Sequence, residues 1–400
     1  MSEVSTTGRP ASVPDRARAF ESREPALAAP RERDRRSDAS PMTSSQRETG
    51  SRTRRAERLI VWSEEPLNAE TPARRLCRSS VTPVRDFFVR THGSIPLIDA
   101  SEHRLVLDGD VRTPLVLSPS DLRERFPRIA APATLACAGN RRSQLRPVAG
   151  GIPWGVGAIG TARWTGVRLR DVLLAAGIGP DAGHVAFTGA DDVAGQRFGG
   201  SIPLDKALSP EVLLAYEMNG RPLTTEHGFP LRVVVPGWIG ARSVKWLRAI
   251  SVQREPSAST FQRHDYTVDG RQLSELPLTS AVCRPVEDAA VSTAPIRVEG
   301  YAVGAGGRPV ERVELSCDGG RTWRTAVLHE AVGPWTWRLW HADLSLPTGA
   351  GEIVVRATDR SGGRQPEHSA ATDNPRGYLN NGWHRIRVAA WPPQPARETR

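Results

Sequence analysis

Thr134-Leu-Ala-Cys137-Ala-Gly-Asn140-Arg141-Arg142-Ser143 is the stretch from which the organisation of the chain can be read. A small apolar run enters a cysteine, and glycine, asparagine and paired arginines follow, as where a buried strand leaves its sheet through a turn. Positive charge beside a thiol favours the thiolate. A thiolate there is a nucleophile or a soft metal ligand. Nucleophilic use wants an adjacent histidine and a third orienting group, and a small buried core cysteine is the plain alternative. The other cysteines, Cys77, Cys283 and Cys317, form no CxxC with it or with one another. That spacing argues against a zinc ribbon, a thioredoxin-like motif and a disulfide scaffold. Reduced thiols and a cytoplasmic location are the expectation.

Outward from Cys137, residues 59–275 read as mixed α and β. Arg104-Leu-Val-Leu-Asp-Gly-Asp-Val111 alternates like a strand running into a turn, and Ser120-Asp-Leu-Arg-Glu-Arg-Phe126 reads as a short capped helix. Leu169-Arg-Asp-Val-Leu-Leu-Ala-Ala-Gly177 places apolar residues at 169, 172, 173 and 176 and ends on glycine, which predicts a helix. Leu231-Arg-Val-Val-Val-Pro-Gly237 reads as a buried strand ended by Pro-Gly.

From residue 276 to 392 the rhythm becomes short strands and turns. Ile296, Val298 and Gly300, then Val313, Leu315 and Cys317, then Ile353, Val355 and Ala357 each follow period two. Pro334-Trp-Thr-Trp-Arg-Leu339 is expected to open another strand. Such spacing predicts an immunoglobulin-like β-sandwich. Ser316-Cys-Asp-Gly-Gly-Arg-Thr-Trp323 resembles the Asp-box of sialidases, a hairpin element of the fold rather than a site.

Residues 1–58 carry 13 arginines, 9 acids and a single aromatic, Phe20, which predicts a disordered leader. Its paired arginines look like export signals, but the apolar run after them stops at Ser63-Glu-Glu-Pro66, so export is not expected. No run approaches the roughly 20 apolar residues of a membrane helix. The net charge of +10 rests on arginine, since Lys206 and Lys245 are the only lysines. A nucleic-acid partner is one reading of that charge, but the arginines are interspersed with acids and no helix-turn-helix is visible. Arginine near glycines at strand ends also suits small oxyanions. Arg90, in Phe87-Phe-Val-Arg-Thr-His92, and Arg232, after His227-Gly-Phe-Pro, have that setting. Surface salt bridging is the alternative at each.

Together these segments resemble the molybdopterin-dependent sulfite oxidases, as a catalytic core without a haem domain. The resemblance runs from about Glu64 to Arg387. It is carried by Glu65-Pro-Leu-Asn-Ala-Glu70, Phe87–His92, Cys137–Arg142, Gly160-Thr-Ala-Arg-Trp164, Tyr216-Glu-Met-Asn-Gly220, His227-Gly-Phe-Pro230 and Gly240-Ala-Arg-Ser-Val-Lys-Trp246. It implies an α+β molybdopterin-binding domain over 59–275 and an immunoglobulin-like dimerisation domain over 276–392. It also implies a homodimer and a molybdenum-molybdopterin cofactor. Cys137 looks like the protein ligand to molybdenum. Phe87, Phe88, Val89, Arg90, Thr91, His92, Asp191, His227, Arg232, Ser243, Val244 and Lys245 match positions that hold the pterin and its phosphate. The substrate pocket maps onto Arg90, Arg142, Trp154, Tyr266 and Arg376, with Asp265 orienting an arginine or tuning the tyrosine.

The implied reaction is oxidation of sulfite to sulfate, with electrons leaving to an external acceptor such as dioxygen or a cytochrome. No nucleic-acid or membrane partner is implied. Two departures stand out. Thr91 replaces an asparagine common in the family, and His264 replaces an arginine before Asp265-Tyr266. They leave room for another small oxyanion or an organosulfur substrate; Arg376 argues against a nitrate reductase core. A pterin scaffold without catalysis would have no need of Cys137.

Overall fold

The computed structural model describes residues 58–147, 149–370 and 374–392, all within the compact unit Ser40–Arg400. The expected disordered leader, apart from Arg58, lies outside the described residues. No helix among the described residues is long and apolar enough to cross a membrane.

Two five-stranded sheets form the framework of the first domain. One orders Leu115–Leu117, Leu105–Gly109, Leu247–Gln253, His184–Val193 and Gln196–Pro203. Its one parallel pairing joins Leu105–Gly109 to Leu247–Gln253. The other orders Arg221–Pro222, Leu213–Met218, Ile159–Arg168 and Ile129–Ala136, with Arg232–Val234 also paired to Leu213–Met218. A three-stranded sheet of Ile60–Glu64, Leu67–Glu70 and Val89–Arg90 brings Arg90 opposite Asn68.

Both expected helices are present. Pro119–Arg125 starts at Ser118, whose hydroxyl accepts from Asp121 N while the Asp121 carboxylate accepts from Ser118 N. This reciprocal cap satisfies two donors that the first turn leaves open. Leu169–Ala176 buries Leu169, Val172, Leu173 and Ala176, the stripe its spacing predicts, and Gly177 at φ +73° ends it. Each buried leucine or valine is worth about 1.5–3 kcal/mol.

A β-sandwich follows. Its sheets order Thr279–Arg284, Ile296–Val303, Arg338–Leu344 and Val327–Leu328, and Ala289–Ser292, His384–Trp391, Gly349–Asp359, Val310–Ser316 and Arg324–Thr325. Val298, Val313, Leu315, Ile353, Val355 and Ala357 fill the space between them, because period two sends alternate residues to one face. The opposite face is buried as well: Cys283, Tyr301, Val303, Trp337 and Leu339 join the core of the first domain.

The strand expected from Pro334 begins only at Arg338. The two tryptophans before it are spent on the domain junction. Trp335 O accepts from Thr134 N at 2.9 Å, and Trp337 N donates to Thr134 Oγ1 at 2.8 Å. The Asp-box is a turn: the Asp318 carboxylate accepts from Arg321 N at 3.0 Å, Thr322 N at 2.9 Å and the Thr322 hydroxyl at 2.6 Å.

Candidate active site

Cys137 directly follows the strand Ile129–Ala136, whose last residue pairs with Ile159. Its own N–H still donates to Ala158 O at 2.9 Å, and then the chain turns. Asn140 N donates back to Cys137 O at 3.0 Å, and Gly139 N points at Cys137 Sγ at 3.5 Å. Asn140 locks the turn from both ends of its amide: Oδ1 accepts from Ala158 N at 3.0 Å and Nδ2 donates to Tyr301 Oη at 3.0 Å. At Gly139 a Cβ would lie 2.4 Å from Arg142 Nη2, so only glycine lets that guanidinium fold back over the loop.

The paired arginines that the sequence leaves equivalent have different fates. Arg141, with left-handed backbone at φ +67°, buries its guanidinium in the sandwich. It donates to Thr279 Oγ1, Ser280 O and Gly382 O at 3.1, 3.2 and 2.9 Å. Burial lowers its pKa to about 10. Arg142 stays with the cysteine loop, donating to Ile152 O at 2.6 Å and Arg376 O at 2.7 Å.

Cys137 shares a cavity with Phe87, Phe88, Arg90, Thr91, His92, Asp191, His227, Arg232, Ser243, Lys245 and Tyr266. Ten of the twelve residues expected to hold a cofactor therefore meet around one space. The remaining two, Val89 and Val244, are buried beside it and contribute backbone: Val89 pairs with Ala69, and Val244 O accepts from Val233 N. Thr91 spends its hydroxyl on Leu67 O at 2.9 Å, holding Val89–Arg90 against Leu67–Glu70.

The charges around this cavity are matched to an anion the protein does not itself supply. Arg232 is buried and donates to His227 O at 2.9 Å and Ser243 O at 3.1 Å. It has no carboxylate partner among the described residues, and burial lowers its pKa to about 9. Lys245 donates to Glu226 O at 2.8 Å. Burial first, and then repulsion from Arg232, holds its pKa well below the usual lysine value against the opposing Asp191 and Glu226. His227 falls to about 4, chiefly through burial, and is neutral at pH 7. A cluster of buried cations is costly until an anion enters. A phosphate would repay that cost.

Asp191 provides the complementary signal. Its Oδ1 is buried with no hydrogen-bond partner among the described residues, and burial raises its pKa to about 6. A buried unpaired acceptor beside a cavity fits an N–H-rich ligand such as a pterin. Thiol, cations and orphan acceptor together fit the molybdenum-molybdopterin group.

The expected substrate residues divide. Arg90 and Tyr266 line the cavity. Arg90 donates to Asn68 Oδ1 at 3.1 Å, and Tyr266 Oη lies 2.9 Å from His92 Nε2. His92 is stacked on Phe198 at 4.5 Å between ring centroids, and burial holds its pKa far below the usual value. Arg142 and Arg376 stand outside the cavity wall. Arg376 pairs with Asp265, as one of the two expected roles for that carboxylate requires. Trp154 is fully buried in the apolar core with Phe87, Phe88 and Cys137 rather than on the cavity wall.

Four residues of the site have no role in the sequence reading. Asn68 fixes Arg90, and Asn140 fixes the cysteine turn. Glu70 accepts from Trp62 Nε1, Gly155 N and Gly157 N at 3.1, 3.0 and 3.1 Å, tying down the loop opposite Cys137, and burial raises its pKa to about 7. Asn68, Glu70 and Asn140 sit inside motifs that carried the resemblance, which was the available signal. Tyr378, which stacks on Tyr266 at 5.4 Å, closes the Asn374-Pro-Arg-Gly-Tyr378 segment around Arg376.

Comparison with known proteins agrees with this geometry. Residues 92–261 match the family described as oxidoreductase molybdopterin binding domain, and residues 271–390 match the Mo-co oxidoreductase dimerisation domain. The chain is 48% identical to sulfite oxidase of Gallus gallus over 356 residues, covering 82% of this chain and 77% of that one. It is 45% identical to the mitochondrial sulfite oxidase of Homo sapiens over 361 residues, covering 84% of this chain and 66% of that one. The sulfane dehydrogenase SoxCD of Paracoccus pantotrophus superposes with a TM-score of 0.73 at 27% identity, covering 88% of this chain and 94% of its own. A cavity that joins a thiol, buried cations and an orphan acceptor, on a fold with these relatives, places the chain in the sulfite oxidase family of molybdopterin-dependent oxidoreductases.

Proposed function

We infer that the protein oxidises sulfite to sulfate and passes two electrons to an external acceptor. The observation that carries this is the shared cavity: the Cys137 thiol, Arg90 and Tyr266 face the same space as the buried cations and Asp191. When bound, the molybdenum-molybdopterin group supplies the two-electron redox chemistry and the oxygen transfer. Cys137 would hold the metal, with Gly139 N–H directed at its sulfur. Arg232, Lys245 and His227 would hold the phosphate, and Asp191 would accept from the pterin.

The substrate end falls to Arg90, Tyr266, Arg142 and Arg376. Sulfite is an anion at neutral pH, and guanidinium groups bind such oxygens through charge-assisted hydrogen bonds. Burial pushes the Tyr266 phenol well above its usual range, so it remains a donor. Asp265 orients Arg376 without entering the cavity wall.

The test is to purify the protein from a host that makes molybdopterin, measure bound molybdenum, and follow ferricyanide reduction on adding sulfite. Metal near one atom per chain with sulfite-dependent turnover supports the reading, and protein lacking the metal sinks it. Likeness to SoxCD favours one further reading, a sulfane or a small organosulfur compound as substrate. Metal-loaded protein that ignores sulfite and turns over such a compound selects it.

We further propose that the sandwich forms a homodimer, which its match to a dimerisation domain supports. A cytoplasmic location is likewise proposed, on the spacing of the four cysteines.

A further inference from the structure

Tyr378 belongs to the sandwich side of the chain, yet it stands beside the substrate residues. Its ring is stacked on Tyr266 at 5.4 Å with 19° between planes, and the Arg142 guanidinium carbon lies 5.2 Å from its ring centroid. Asn374 fixes its backbone on both sides: Oδ1 accepts from Tyr378 N at 2.9 Å, and Nδ2 donates to Tyr378 O at 3.1 Å. The next residue, Leu379, donates its N–H to Ala138 O at 2.8 Å, inside the cysteine loop. Gly377, at φ +57°, makes the approach possible, because a Cβ there would lie 2.6 Å from the Ala149 side chain and 3.0 Å from Arg142 Cγ.

The ring is more than nine-tenths buried, at 8% exposure. Its hydroxyl has no hydrogen-bond partner among the described residues and is not shut off from solvent, so water or a ligand can reach it. The contacts around it close a circuit. Arg376 pairs with Asp265, the neighbour of Tyr266, and Arg376 O accepts from Arg142, which in turn lies against the Tyr378 ring. Burial raises the phenol pKa, opposed first by Arg142 and then by Arg376 and Arg90, with the Cys137 thiol adding to the rise. A hydroxyl that is open to solvent beside Arg142 and Tyr266, and bonded to neither, is free to meet a ligand oxygen.

We propose that Tyr378 is a substrate-binding residue whose O–H donates to the oxyanion held by Arg90, Arg142 and Arg376, with its ring setting the spacing between Arg142 and Tyr266. This rests on the oxyanion reading above. It does not need sulfite to be the substrate, because any small tetrahedral or pyramidal oxyanion presents the same acceptor oxygens.

The test compares holoenzyme from a molybdopterin-producing host as wild type and as Tyr378→Phe, which keeps the ring and both stacking contacts. Sulfate binding is measured by titration calorimetry, and kcat and KM for sulfite by ferricyanide reduction, each normalised to bound molybdenum. The expected result is sulfate binding weakened three- to tenfold and KM raised by a similar factor, with kcat within twofold and an unchanged melting temperature. Unchanged sulfate affinity and unchanged KM overturn the proposal. Tyr378→Ala separates ring from hydroxyl and is expected to add a loss in kcat, as Arg142 and Tyr266 lose their spacer. Equal Phe and Ala variants in both assays would overturn the spacing role. If wild type binds sulfate but does not oxidise sulfite, the functional reading fails, while the change in sulfate affinity still decides the role of Tyr378.

Discussion

Arg376 Nη1 lies 3.0 Å from Asp265 Oδ1, an ion pair joining a sandwich loop to the residue beside Tyr266. The pair is about half exposed on the arginine side, so its direct contribution to stability is small, about 0–1 kcal/mol. Its use is positional. Without it, a long side chain at the domain junction has no fixed direction.

Arg376→Met is accordingly expected to raise the sulfite KM at least tenfold, a loss of about 1.4 kcal/mol, with little change in melting temperature. Asp265→Asn keeps the guanidinium but loosens its aim, and a smaller rise is expected. Steady-state kinetics with ferricyanide measures both. An unchanged KM in Arg376→Met would place that guanidinium outside the substrate site.

Cys137→Ser should abolish sulfite turnover while the pterin stays bound, because the cations and Asp191 that fit it remain. Turnover assays and the fluorescence of oxidised pterin released from the purified variant check the two halves separately. Retained turnover would show that another group supports the metal.

Lys245→Met is expected to move two quantities in opposite directions. Replacing a buried cation that repels Arg232 and Arg90 should raise the melting temperature of cofactor-free protein, since an apolar residue of similar length avoids the burial cost. Cofactor retention should fall by tenfold or more, because the phosphate loses a donor. Differential scanning calorimetry and molybdenum content decide it; a less stable cofactor-free variant would contradict the reading of the site as an anion cradle.

Glu70 makes a prediction about pH with a definite sign. Its folded pKa of about 7 exceeds the ordinary 4.5, so between those values the native state holds a proton that the unfolded chain has lost. Stability from this group therefore falls as pH rises through that window. Glu70→Gln removes the titration, and its melting temperature should gain on wild type between pH 5 and pH 8 by about 2 °C or more. A constant difference across that range would mean Glu70 is ionised throughout.

Local patterns are legible in the chain where they depend on neighbours in sequence. The stripe at 169, 172, 173 and 176 became a helix, and period two at Val298, Val313 and Val355 became the sandwich core. The motifs around Arg90, Cys137, His227 and Lys245 also gathered ten of the twelve expected cofactor residues around one cavity. Residue type and order suffice there, because a thiolate, cations and an acceptor are chemical properties of side chains.

Direction and partnership were decided elsewhere. Arg141 and Arg142 are adjacent and identical in type, yet one left-handed residue turns the first into the sandwich and leaves the second at the site. Trp335 and Trp337 read as strand and instead bind Thr134 across the domain junction. Asn374 and Tyr378 flank Arg376 in the chain, but the place of Tyr378 in the site comes from its contact with Tyr266, more than a hundred residues away. Residue order alone specifies the kinds of groups available and the elements that bear them. Which of those groups are buried together, and which are left without a partner, follows from long-range packing, on which burial and hydrogen-bond satisfaction depend.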